Sequence, residues 1–149
     1  MKHLINYLLV LALLAACEAD KPQPVDAGSN YFPLKAGVYQ IYDVQEVDYA
    51  PNVEAQVTTY QLKMQVADSF ATAGGGITYV IYRSTREEES GEWHELDTWS
   101  ARKDDEGVVV MEGNTPFVKL AFPVRTGIRW NGNAMNNLGD DEYELKDVG

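Results

Sequence analysis

The stretch "TYQLKMQV", residues 59–66, decides the fold. Tyr60, Leu62, Met64 and Val66 alternate with Gln61, Lys63 and Gln65. Successive side chains of a strand point to opposite faces, so this period of two gives one apolar and one wetted face. A helix would need its apolar residues three and four apart, which this octet does not supply.

Working outward, the same signature recurs. "VYQIYDVQEV" (38–47) and "ITYVIYRST" (77–85) are rich in the β-branched and aromatic residues that fit a pleated surface. "WHELDTWSAR" (93–102), "GVVVME" (107–112), "FVKLAF" (117–122) and "EYELKDV" (142–148) are further strand candidates. Turn chemistry separates them: Gly74-Gly75-Gly76, Ser90-Gly91, Asp104 to Gly107 and Glu112-Gly113-Asn114. No stretch after residue 17 holds a 3.6-residue period for three turns, although 131–141 leaves room for an amphipathic helix. Short strands in close succession predict an all-β antiparallel meander, closing as a small lipocalin-like barrel or packing as a sandwich.

The first residues read as an address. "MKHLINYLLVLALLAA" carries Lys2 and then an uninterrupted apolar or aromatic run from Tyr7 to Ala16. That run is shorter than the roughly 20 residues that span a bilayer, and it fits the core of a secretory signal. Leu14-Ala15-Ala16-Cys17 resembles the lipobox of bacterial lipoproteins, in which the cysteine is acylated and becomes the new N-terminus. The alternative is a plain signal peptide that ends near a free Cys17, but a secreted chain with one unpaired thiol calls for a reason. Lipidation supplies it, each buried methylene contributing about 0.8 kcal/mol to membrane attachment. Glu18 replaces the aspartate that marks inner-membrane retention in some bacteria, which favours the outer membrane; the face, periplasmic or exterior, is left open. "EADKPQPVDAGSN" (18–30) is polar and proline-bearing, with no apolar period. The expected organisation is a signal peptide at 1–16, a lipidated tether at 17–30 and one β domain at 31–149.

Charge narrows the partners. The chain has 12 basic and 23 acidic residues, a formal net charge of −11. Removing Lys2 with the signal leaves 11 basic residues against 23 acidic ones. Such a surface repels phosphate backbones, so nucleic acid is excluded as a favoured partner. A hydrophobic content of 45% is that of a globular domain, and a single cysteine leaves the core, not a disulfide, to hold it.

One phrase occurs twice. "FPLKAGV" (32–38) returns as "FPVRTGI" (122–128), matching in character at six of seven positions. Proline drives the preceding phenylalanine out of the helical region, glycine permits positive φ, and Val38 or Ile128 begins an extended segment. The phrase reads as a corner pinned by a buried aromatic, with a shared binding rim as the other reading. Repeats of this kind mark two halves of a fold that begin alike.

With the lipobox and tether, "YFPLKAGVYQIYDV" and "LAFPVRTGIRWNGN" resemble small lipoproteins of uncharacterised function from Bacteroidetes-type bacteria. The resemblance covers most of the chain, and its motifs are structural. It implies no activity and no site residues. It does imply further strands after the second corner, so the unequal halves lead to the expectation of a C-terminally incomplete member. A stop codon directly after Gly149 in the genomic reading frame would refute that.

No assembled catalytic set is legible. His94 is the one histidine after the signal, and no G-x-S-x-G elbow or phosphate loop occurs. Two constellations remain. On a regular strand, Trp93, Glu95, Asp97 and Trp99 would share one face at about 6.6 Å intervals, a candidate sugar-binding platform or ordinary cross-strand packing. Asn131, Asn133, Asp140 and Asp141, within "NGNAMNNLGDDEYE" (131–144), offer oxygen ligands to Ca²⁺, though without EF-hand spacing, and equally serve turns. "REEESGE" (86–92) reads as a solvated hairpin tip. The expectation is a non-enzymatic envelope domain that binds or scaffolds a protein or glycan partner. The alternatives are a carrier of a hydrophobic or glycan ligand and, third, a hydrolase.

Overall fold

The computed structural model describes residues 28–148. The expected signal peptide, Cys17 and most of the expected tether lie outside the described residues. Eight strands follow a 3-10 turn at Ser29–Tyr31: β1 Tyr39–Asp48, β2 Gln56–Ala71, β3 Ile77–Arg86, β4 His94–Lys103, β5 Gly107–Glu112, β6 Thr115–Ala121, β7 Arg129–Asn131 and β8 Glu142–Glu144. The first six form one antiparallel meander in sequence order, and β7 pairs with β8 in a small second sheet. The large sheet curls into a half-barrel. The expected all-β antiparallel meander is therefore the fold, and among the described residues it takes the form of a half-barrel with a small two-stranded sheet. Residues 131–141 form turns, not a helix.

Directly paired residues of antiparallel strands share a face. Val66 faces Ile81, Ile81 faces Trp99, Tyr79 faces Ala101, Ala101 faces Val110 and Val108 faces Leu120. This row is the concave face. Its buried members, Val66, Ile81, Ala101, Val108, Val110 and Leu120, form the core with Leu34. Burying such side chains stabilises the fold by roughly 1.5–3 kcal/mol each.

The repeated phrase covers this core at one end. Phe32 and Leu34 of the first copy, and Phe122 and Val124 of the second, all pack onto the cluster. Each copy also builds the same corner. Val38 N–H donates to the Lys35 carbonyl at 3.1 Å and Ile128 N–H to that of Arg125 at 3.2 Å. The third turn positions are Gly37 at φ 90° and Gly127 at φ 81°, as a type II turn requires. Gly37 N–H then donates to Val66 and Gly127 N–H to Leu145, both at 2.8 Å. Val66 N–H returns a bond to Val38 and Leu145 N–H to Ile128. Two residues opposite one, the first a left-handed glycine, make a glycine β-bulge in both places. The repeat is a corner, built twice with the same hydrogen bonds.

Residues 28–30, read from sequence as the end of the tether, pack on the domain. Gly28 is buried, and a Cβ there would collide with the Val124 side chain. Lys103, on the concave face opposite Val108, donates to the Ser29 and Phe32 carbonyls at 2.9 and 3.0 Å. That ammonium pins the first segment across the sheet.

Candidate functional site

The other end of the concave face is open. The register sets Tyr42 against Leu62, Val44 against Tyr60, Leu62 against Thr85, and Met64 against Arg83. Tyr42 is exposed, and Val44, Tyr60 and Leu62 are half-buried. Arg83 stands where the alternation of Tyr79 and Ile81 places an apolar residue. It is held there by two contacts. Its Nη1 donates to Asp97 Oδ2 at 2.7 Å, and its guanidinium lies 3.9 Å from the centre of the Trp99 ring. A planar cation stacked on indole gains cation–π attraction in addition to the ion pair. Arg83 Nε and Asp97 Oδ1 are buried without a hydrogen-bond partner among the described residues. The open face thus mixes Tyr42, Val44, Tyr60 and Leu62 with the polar Gln40, Glu46, Thr85 and the Arg83–Asp97 pair.

This arrangement splits the quartet expected on one face. Arg83 pairs with Asp97, but Ser84 pairs with Glu95, leaving Leu96 as the extra residue of a β-bulge. Asp97 and Trp99 stay on the concave side with Arg83. Glu95 turns to the convex side with Ser84. Trp93 precedes β4 and packs on the convex side, where Arg86 lies 4.3 Å and Lys63 Nζ 4.6 Å from its ring centre. Arg86 Nε donates to Gln61, and Gln61 Nε2 donates to Asp43, each at 2.8 Å. Trp93 therefore anchors a convex-face ladder across β1 to β3, and it forms no platform with Trp99. Arg83 is the residue that sequence reasoning passed over. Its signal was a cation in the apolar phase of "ITYVIYRST".

His94 is exposed at the start of β4 and lines an open concavity of about 830 Å³ beside the β3–β4 tip. Glu46, Glu87, Glu88 and Glu92 share that wall. The tip itself is the solvated hairpin turn the sequence suggested.

The 131–141 segment uses its amides on itself. Asn131 Oδ1 accepts from the N–H groups of Asn133 and Asp141 at 2.9 and 3.0 Å, and Asn131 Nδ2 donates to Asp140 Oδ1 at 2.7 Å. Asn133 Nδ2 donates to the Gly139 carbonyl, and Asn136 Nδ2 to that of Pro116. Asp141 Oδ2 accepts from the Tyr143 hydroxyl at 2.7 Å. This bond and the nearby Asp141 charge raise the Tyr143 pKa above the ordinary 10.0. Asn131, Asn133, Asp140 and Asp141 do come together, as a hydrogen-bonded loop whose side-chain oxygens largely face protein donors. No cluster of three or more His, Cys, Asp or Glu side chains spaced for a metal ion occurs among the described residues.

The same loop closes one edge of the half-barrel. Val118 N–H on β6 donates to the Gly132 carbonyl, and Trp130 Nε1 donates to the Val118 carbonyl, both at 2.9 Å. Trp130 in turn stacks on Tyr143, centroids 5.6 Å apart. Comparisons with protein-family models, curated proteins and solved structures return no match.

Proposed function

We propose that this chain is a lipid-anchored cell-envelope domain whose role is binding, with the open end of the concave face as its contact surface. Cys17 supplies the anchor and the tether sets the domain off the membrane. The observation that supports the binding reading is the half-covered concave face. The two phenylalanine corners cover the core at one end. Toward the other, Tyr42, Val44, Tyr60 and Leu62 share the face with the Arg83–Asp97–Trp99 group. Aromatic and aliphatic area around a few fixed polar groups is the usual make-up of a recognition surface. A non-catalytic role follows from this as part of the proposal.

A photo-crosslinking comparison tests it. Benzoylphenylalanine replaces Tyr60 on the concave face or Tyr82 on the convex one, in the full chain and in intact cells. The reading expects a discrete adduct from position 60 and none from position 82. Adducts from position 82 alone would contradict it.

A further inference from the structure

The two edges of the six-stranded sheet are finished differently. β6 is closed by Gly132, Trp130 and Asn136, which take up the outward-facing groups of Pro116 and Val118. β1 is ten residues long, and among the described residues it pairs with β2 alone. Val38 bonds inward to Val66, so antiparallel alternation turns the N–H and C=O groups of Tyr39, Ile41, Asp43, Gln45 and Val47 outward. Tyr39 and Ile41 beside this edge are 60% and 43% exposed. A long open edge with exposed apolar side chains is a template for another strand.

Charge selects which strand. β1 carries Asp43, Glu46 and Asp48 and no basic residue. A second copy docking antiparallel in the register centred on Asp43 would set Asp43 against Asp43, and like charges directly opposite are destabilising. The chain's charge of −11 adds long-range repulsion between copies. We propose that β1 accepts an extended, lysine- or arginine-bearing segment of another polypeptide by strand addition, widening the half-barrel by one strand. The proposal deepens the binding reading and rests on it. Main-chain hydrogen bonds would give affinity, and Asp43, Glu46 and Asp48 the preference for basic side chains.

The probe is a ten-residue acetylated peptide of alternating valine and lysine, matched in length to β1. The control carries glutamate in place of lysine, and both are titrated against the full chain in detergent at low salt. Hydrogen exchange should slow at the amides of Ile41, Asp43, Gln45 and Val47 with the lysine peptide only. Ile41→Pro removes an outward donor without breaking the β1–β2 ladder, and should weaken binding by about tenfold or more. Asp43→Lys should reverse the preference toward the glutamate peptide. Equal protection by both peptides, unchanged binding by Ile41→Pro and Asp43→Lys, or a salt-stable dimer that occupies β1 would each overturn the proposal. If Arg83→Gln and Tyr60→Ala abolish binding while Ile41→Pro does not, strand addition fails and the concave-face reading survives.

Discussion

Arg83 lies with its guanidinium 3.9 Å from the centre of the Trp99 ring, on the face of the sheet that carries the core. A cation in that position is held by geometry: the indole beneath it and Asp97 beside it at 2.7 Å. The Arg83 side chain is 16% exposed and that of Asp97 42%. Removing one partner from such a pair leaves the other charge poorly solvated.

Asp97→Asn should therefore destabilise the domain by about 1–2 kcal/mol, less than for a fully buried pair because Asp97 is partly wet. Replacing both groups, as Arg83→Met with Asp97→Leu, should return stability to within about 1 kcal/mol of the starting protein. Urea unfolding of the three proteins checks this. A double variant weaker than the single would show that the pair itself stabilises.

Gly37 and Gly127 should respond alike. A Cβ at either position meets no atom within 4 Å, so only the backbone resists substitution. Alanine at each should cost about 1–2 kcal/mol, and asparagine less, because its short polar side chain tolerates the left-handed region. Denaturation of the four single variants measures it. A large cost at one glycine with none at the other would break the equivalence of the two corners.

Tyr143 should make stability fall in strong alkali. Its neutral phenol donates to Asp141, and the folded pKa lies above the ordinary value of 10.0. The contribution is fully present below 10.0 and is lost as pH rises through the raised folded value. Carbon-13 tyrosine NMR should find the Tyr143 ring titrating above 10.0, and Asp141→Asn should bring it back toward that value. A late-titrating ring that persists in Asp141→Asn would point to another cause.

Much of the fold was legible in the sequence because β structure writes itself as a period of two. The octet at 59–66 lies within β2, and 77–85 and 107–112 fall almost residue for residue on β3 and β5. Closure was not legible, since it depends on how far the sheet curls and what covers its edges. The quartet around Asp97 failed for a specific reason. One extra residue, Leu96, moves Glu95 to the other face, and bulges leave no mark on composition. The Asn-rich stretch was open to two readings because amide oxygens serve turns and cations equally well. Here they accept backbone N–H groups within the loop. Arg83 was readable as a charge out of phase, but its partners Asp97 and Trp99 sit on another strand.

The most direct test of a lipid-anchored binding domain is metabolic labelling of the full chain with tritiated palmitate, beside Cys17→Ser, followed by membrane fractionation. The account predicts a labelled, membrane-bound protein and an unlabelled Cys17→Ser variant that remains at precursor length. Palmitate on the Cys17→Ser protein, or an unlabelled parent chain in the soluble fraction, would contradict it.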